Sequence, residues 1–272
     1  MKKLALLILP LLFLIAIAKE SNATHIMGMN ITYKHHNGDT FIVHCDFFRY
    51  CGGSAFNNGT ATSAAGMSTS AYYYIYCEDN GWQTSRNAPA DTIKEATPIC
   101  AELNATQNSC VAGWQTGLLG IQWGVYTDTV VMDSNLFGGL ECDNWMFVYS
   151  SGARNTGVNY VSQPSIVAYD RLNIAQFPNN SSVQFNSAKP IPFFCDGQTV
   201  TYNWSAYDPD GDSLYWELDT AWNTHNTATN TLTSITYQSP YTGPQPMPGT
   251  TTINHNTGQL NFVATIPAGY NF

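Results

Sequence analysis

Hydrophobic residues of this chain recur with a period of two along short runs, and a helical period is nearly absent after residue 23. Such alternation places successive side chains on opposite faces of a pleated strand. Turn-forming Asn, Gly, Asp and Pro residues separate the runs. The predicted strands span residues 31–34, 40–48, 71–77, 120–132, 145–149, 160–169, 200–206, 213–218, 234–237, 251–254 and 259–263. The pattern predicts an all-β protein with antiparallel sheets.

A change in composition divides the predicted strands into two groups. Residues 176–192 carry three prolines and little periodicity, which is typical of a linker. We therefore predict two β-sandwich units of immunoglobulin- or cadherin-like type, an N-terminal domain at 24–178 and a PKD- or cadherin-like domain at 179–272. The chain ends shortly after the strand at 259–263, so we expect the second sandwich to lack the last strand that would cover its open edge.

The first 23 residues have the features of a secretory signal peptide. Lys2 and Lys3 precede an apolar run over 4–18, which is shorter than the about 20 residues of a transmembrane helix. Small residues place the cleavage site after Ala18 or Ala23, and we prefer Ala23. No later segment is apolar for long enough to span a bilayer. The sequence predicts a secreted protein of the extracellular cell surface.

Charge limits the partners of the exported chain. Removal of residues 1–23 deletes three lysines and one glutamate, which leaves 7 basic and 18 acidic residues and changes the formal charge from -9 to -11. Nucleic acid is therefore excluded as an expected partner. Only 11% of the chain is charged, against the ~25% usual in soluble domains. Neutral polar residues supply much of the exposed surface, as expected of an extracellular β-rich chain.

Seven cysteines lie in the exported part of the chain, where an oxidising environment favours disulfides. Their odd number leaves at least one thiol unpaired or bridged to another chain. The spacings contain no CxxC pair and no histidine in zinc-finger register, which makes a zinc ribbon improbable. The sequence leaves the disulfide pairing open.

Motifs of enzyme active sites are missing from the sequence. It has no GxSxG nucleophile elbow, no HExxH pair and no glycine-rich phosphate loop. We therefore predict a protein without catalytic residues. An alternative is a carbohydrate-binding or carbohydrate-degrading module that uses the aromatic strand from Tyr72 to Tyr76. Alternation would place Tyr72, Tyr74 and Tyr76 on one face of this strand and Tyr73 and Ile75 on the other; core packing explains such strands more often.

Three aspartates, Asp208, Asp210 and Asp212, alternate with Pro209 and Gly211 in a tight turn. Calcium takes six to eight oxygen ligands, which clustered carboxylates and carbonyls provide. An EF-hand is excluded because a strand is predicted where its second helix should begin. A turn in which the carboxylates accept backbone hydrogen bonds without metal is the other interpretation. The residues alone leave both open.

Several longer motifs occur along the chain in a fixed order: THIMG at 24–28, CDNWMFVYSSGARN at 142–155, NSS at 180–182, PFFCDGQTVTYN at 192–203 and YDPDGDSLYWEL at 207–218. This series resembles landmarks of large secreted Bacteroidetes surface proteins. These proteins carry PKD- or cadherin-like repeats and are named for a gliding-motility-associated C-terminal sorting domain. One departure is Gly152-Ala153, where family members often have a cysteine pair, so no disulfide pairing carries over.

The resemblance implies a non-catalytic cell-surface protein with an adhesion or structural spacer role, linked to gliding or surface attachment. It implies export by type IX secretion and further C-terminal repeats beyond this sequence. For Asp208, Asp210 and Asp212 it implies a structural calcium ion that stiffens the inter-strand turn. We expect no other cofactor. The partner is a surface glycan or protein that the sequence does not name.

Overall fold

The computed structural model describes residues 25–50, 67, 69–97, 120–133, 139, 141–152, 154, 159–161, 165–185, 194–247 and 249–265. These residues form strands and no helix, which confirms the predicted all-β class. The strands are β1 (His25–Asn37), β2 (Thr40–Tyr50), β3 (Ser70–Cys77), β4 (Gln83–Glu95), β5 (Ile121–Val131), β6 (Asn144–Gly152), β7 (Ser165–Asn173), β8 (Gln184–Phe185), β9 (Thr199–Tyr202), β10 (Ala206–Tyr207), β11 (Trp222–Asn226), β12 (Thr231–Ser234), β13 (Thr252–Ile253) and β14 (Leu260–Val263).

Nine strands form one antiparallel sheet in the order β1-β2-β5-β4-β3-β6-β7-β11-β12. The sheet curls so that β1 packs against β6 and β7, and its concave face encloses the main core. Tyr33 of β1 lies 5.3 Å from the ring of Phe147 in β6, and its hydroxyl donates to the carbonyl of Arg171 in β7 at 2.9 Å. These contacts close the sheet into a sandwich.

Strand β4 forms the corner of this sandwich. Residues 83–89 pair with β3, residues 90–95 pair with β5, and a register shift between Ala90 and Thr92 marks the change of partner. A bulge of this kind bends a strand and lets it pass from one layer to the other. Strand β4 is not among the predicted strands, because its residues are mostly polar and include Pro89, which argues against a central strand.

Strands β1 and β2 form an antiparallel hairpin at the edge of the large sheet. Gly38 and Asp39 join β1 to β2, and Gly38 has a φ of 48°. A type I′ turn needs positive φ at both central residues. Neither Asn37 nor Asp39 is among the positive-φ residues of the described chain, so the connection is not a type I′ turn.

A disulfide joins Cys77 at the end of β3 to Cys142 just before β6. Beside it, Trp145 is fully buried and donates its indole N–H to the carbonyl of Cys142 at 3.1 Å. Cys45 is an unpaired thiol in the core, and Cys195 is an exposed one. The remaining three cysteines lie outside the described residues.

Part of the predicted linker, residues 181–184, forms a strap along the outer edge of β1. The hydroxyl of Ser182 accepts from the backbone N–H of Tyr33 at 2.8 Å, and the backbone N–H of Ser182 donates to the Tyr33 carbonyl at 2.9 Å. The hydroxyl of Ser181 accepts from the N–H of His35 at 3.2 Å. An edge strand otherwise exposes unpaired backbone groups, so the strap protects β1 from pairing with another chain.

Sheet β13-β14-β9 lies around a second core of Val200, Leu260 and Phe262, and β10 pairs separately with β8. The β11–β12 hairpin, which also follows residue 178, instead extends the large sheet through the pairing of Trp222 with Val167. Arg154 secures this junction, since its guanidinium donates to the carbonyls of Ser165 and Trp222.

The predicted strand at 213–218 is wrong. The segment is extended and its side chains alternate between half-buried and exposed, but it has no ladder of hydrogen bonds. Leu218 packs on the second core. Contact with this core on one side of the segment explains why apolar residues alternate with polar ones although the segment has no strand partner. The predicted signal peptide lies outside the described residues. No helix able to cross a membrane occurs in the part of the chain that the structure describes.

Candidate functional site

A cavity of about 650 Å³ lies between the large sheet and the segment 216–219. Its size falls within the range of small-molecule sites, which is roughly 300–1,000 Å³. We call it the aromatic cleft and define it by five rings and three carboxylates among its lining residues: Phe48, Trp123, Phe185, Trp204, Trp216, Asp46, Glu217 and Asp219.

The first wall of the cleft belongs to the large sheet. Phe48 of β2 is paired with Trp123 of β5, and their rings stack with centroids 5.9 Å apart and planes 13° apart. Gly28 of β1 is the cross-strand partner of Phe48 on its other side, and a Cβ there would lie 4.0 Å from the ring, an ordinary contact distance. Lys94 of β4 is paired with Trp123 on its other side, and its ammonium lies 4.1 Å from the centroid of the Trp123 ring.

Asp46 is the carboxylate of this wall. The indole N–H of Trp123 donates to Asp46 Oδ1 at 2.8 Å, which fixes the orientation of the indole. Burial raises the pKa of Asp46, whereas the Trp123 hydrogen bond and the nearby His44 and Lys94 oppose the shift. The site therefore combines a flat aromatic surface with a partly desolvated acceptor.

The second wall is carried by Trp216. Its backbone N–H donates to the carbonyl of His255 at 2.9 Å, and Phe185 meets its ring edge-on at 6.3 Å between centroids. Gly258 lies directly against the indole, because a Cβ there would be 2.5 Å from Cε2 of Trp216. The position of Trp216 is thus fixed on three sides before any ligand binds.

Glu217 and Asp219 follow Trp216 at alternating positions. Both are exposed, whereas Trp216 and Leu218 between them are half-buried. The backbone N–H of Thr220 donates to Asp219 Oδ1 at 2.7 Å. Alternation directs these two carboxylates to the side of the segment opposite to the indole and Leu218, where they provide exposed hydrogen-bond acceptors.

The predicted metal residues lie at the end of β10. Asp208 Oδ1 accepts from the N–H of Asp210 at 2.8 Å and of Asp212 at 3.3 Å. Asp210 Oδ2 accepts from the N–H of Ser181 at 2.6 Å, which ties the turn to the strap on β1. These bonds form an Asx turn in which two of the three carboxylates are already engaged. Calcium at Asp208, Asp210 and Asp212 stays a prediction.

Within the described ranges, the group of three ligand atoms within 4.8 Å of one another is Cys77, Asp79 and Cys142. Its two sulfurs form the disulfide, and Asp79 accepts from the backbone N–H groups of Asp143 and Asn144 at 2.8 and 2.9 Å. The group closes a loop and does not present thiolates to a metal. The three aspartates of the turn do not converge in this way in the described structure.

The aromatic strand β3 follows the predicted alternation. Tyr73 and Ile75 point into the main core, and Tyr74 and Tyr76 belong to a second cluster beneath the β11–β12 hairpin. Tyr76 is buried and donates its hydroxyl to the carbonyl of Thr227 at 2.7 Å. Tyr74 is half-buried, so Tyr72, 60% exposed, is the ring of this face that is open to a ligand.

The residues that line the cleft are not predictable from the sequence, because they form no local motif. They come from β2, β5, β8 and the segment 204–219, which lie far apart in the sequence. One local signal existed in Trp216-Glu217-Leu218-Asp219, where acidic residues alternate with apolar ones. This alternation predicts a strand, which the segment does not form.

Comparison with known proteins gives no match to a family model, to a curated protein or to a solved structure.

Proposed function

We propose that this protein is a secreted, non-catalytic adhesion protein of the cell surface that binds glycan in the aromatic cleft. The cleft is the observation that carries the proposal. A pyranose has apolar C–H faces and a rim of hydroxyl groups, so it packs against aromatic rings and donates hydrogen bonds to acceptors beside them. Phe48 and Trp216 offer such faces, whereas Trp123 is stacked between Phe48 and the Lys94 ammonium; Asp46, Glu217 and Asp219 offer such acceptors.

Preorganisation supports a binding role. Trp123 is held by Asp46 and by the stack with Phe48, and Trp216 is held by Gly258 and the His255 carbonyl. Rings that are fixed before binding lose little conformational entropy when the ligand arrives. The secreted location and the adhesion role rest on the signal-peptide features and on the resemblance to Bacteroidetes surface proteins.

Glycan degradation is a second candidate. A glycosidase needs two carboxylates around the scissile bond, one of them with a raised pKa. The burial that raises the pKa of Asp46 in the same cavity as Glu217 and Asp219 favours this reading. We prefer binding because the sequence carries no catalytic motif and both carboxylates of the second wall are exposed.

A glycan array with three proteins tests the proposal. We expect the wild type to bind a set of oligosaccharides, Trp216→Ala to lose at least about tenfold in affinity, and Tyr72→Ala to bind as the wild type does. Tyr72 is the matched control because its ring is exposed outside the cleft. Loss of binding in Tyr72→Ala alone would favour the β3 surface, and wild-type protein that binds no glycan would refute the proposal. Release of shorter products from a bound oligosaccharide would favour degradation.

A further inference from the structure

Acidic side chains outnumber basic ones at the aromatic cleft, with three carboxylates in its lining and the Lys94 ammonium beside them over Trp123. Asp46, Glu217 and Asp219 are among the described residues that line it, and those residues include no lysine, arginine or histidine. A neutral sugar needs acceptors but gains nothing from a net negative potential. We propose that the glycan of this site is an amino sugar with protonated amines, such as a glucosamine oligomer; this inference rests on the proposed function.

The aromatic walls point to the same ligand. An ammonium group above an indole face is attracted by the negative face of the ring. Lys94 illustrates this in the structure, since its Nζ lies 4.1 Å from the centroid of Trp123. A glucosamine unit combines an apolar face for stacking with an ammonium group that bonds to a nearby carboxylate. The cavity and its rings define the site, and the carboxylates select among the sugars that fit.

The second wall places its acceptors where an amine can reach them. Glu217 and Asp219 are exposed and flank the half-buried Leu218, so both carboxylates stand at the rim of the cleft. The one hydrogen bond that the described chain directs to these two carboxylates comes from the Thr220 N–H to Asp219 Oδ1. Their other oxygens are available to a ligand, and hydrogen bonds between ionised partners are roughly twice as strong as neutral ones.

Three hexamers with the same β-1,4 linkage test the inference by isothermal titration: glucosamine, N-acetylglucosamine and glucose. They share the sugar ring and differ in the charge at C2. We expect the glucosamine hexamer to bind at least about tenfold more tightly than the other two. We also expect added salt to weaken its binding, because the charged groups at the rim are screened.

The variant Glu217→Gln/Asp219→Asn separates charge from shape. It should reduce the preference for glucosamine over the neutral hexamers to less than about threefold, and this ratio of affinities is the readout. Glu141→Gln/Asp39→Asn is the matched control, because it removes two exposed carboxylates outside the cleft and should keep the preference.

The outcomes distinguish the two proposals. Equal binding of all three hexamers, without a salt effect, would overturn the amino-sugar inference and leave glycan binding intact. Tighter binding of a glucuronic acid oligomer, which the ammonium of Lys94 beside the cleft would favour, would overturn it as well. If none of these oligomers binds, and the glycan array is also negative, the proposed function fails together with the inference.

Discussion

Gly258 and Trp216 are in direct contact, and a methyl group on Gly258 would overlap the indole at 2.5 Å. Gly258 also has a φ of 70°, a conformation that other residues adopt at a cost. The second wall of the aromatic cleft therefore depends on a residue that does not line the cavity. This relationship allows the position of Trp216 to be changed without altering the chemistry of the site.

We expect Gly258→Ala to displace Trp216 and weaken glycan binding at least about tenfold. The matched control is Gly249→Ala, since Gly249 has a φ of 77° and a methyl group added there would meet no atom within 4 Å. Both variants carry the backbone cost of about 1 kcal/mol, but only Gly258→Ala adds the overlap. Thermal melts and titration with an array-selected oligosaccharide measure the two effects. Equal affinities in both variants would contradict the placement of Trp216 in the site.

Asp208→Asn separates the two interpretations of the aspartate turn. Asparagine keeps the oxygen that accepts from the N–H groups of Asp210 and Asp212, but it removes a negative charge that a calcium ion requires. We expect calcium to raise the melting temperature of the wild type, EGTA to reverse the rise, and Asp208→Asn to respond much less. A wild-type melting temperature that is the same in calcium and in EGTA would leave the turn without metal.

The Cys77–Cys142 disulfide should contribute substantially to stability. It joins residues 65 positions apart, and closure of a loop of this length is worth about 4 kcal/mol in the chain-entropy model. We expect Cys77→Ser/Cys142→Ser to lower the free energy of unfolding by about 2–5 kcal/mol, measured by urea denaturation. Peptide mapping without reductant checks the pairing itself. A Cys77 peptide linked to any other cysteine would contradict the structure.

Asp170 makes stability depend on pH. Burial raises its pKa to about 6, although hydrogen bonds from Ser182 and from the Arg171 N–H oppose the shift. The folded chain therefore binds a proton more tightly than the unfolded chain, so stability falls as the pH rises from about 4 to about 6. We expect Asp170→Asn, which keeps an acceptor oxygen, to be more stable than the wild type at neutral pH by on the order of 1–2 kcal/mol.

Melting curves of both proteins across this pH range check the prediction. The advantage of Asp170→Asn should disappear as the pH falls below about 4, where the wild-type carboxyl becomes protonated in the unfolded chain as well as in the folded one. A shallower slope should remain, because burial also raises the pKa of Asp46. Parallel curves for the two proteins would show that Asp170 does not titrate in this range.

The all-β class and most strands of the large sheet follow from the sequence because their side chains alternate between core and surface. Strand β3 is an example, with Tyr73 and Ile75 inside and Tyr72 outside. Strand β4 was not predictable in this way, since it changes partner at Ala90 and its exposed residues are polar. Its pairing is set by tertiary contacts that a local pattern does not contain.

The candidate site is even less predictable from a local sequence pattern than strand β4. Asp208 and Asp210 were recognised from their spacing, but the bond from Ser181 to Asp210, between residues 29 positions apart, appears only in the folded chain. Phe48 and Trp216 are farther apart still and meet in one cavity. A site assembled from distant strands and a strap leaves no contiguous signature, whereas a turn does.

The location of a bound oligosaccharide tests the central claim most directly. A crystal structure of the protein with the tightest ligand from the array should show sugar density between Trp123 and Trp216, with hydroxyl or amine groups on Asp46, Glu217 or Asp219. Density on Tyr72, or anywhere outside the aromatic cleft, with the cleft filled by water alone, would contradict the account.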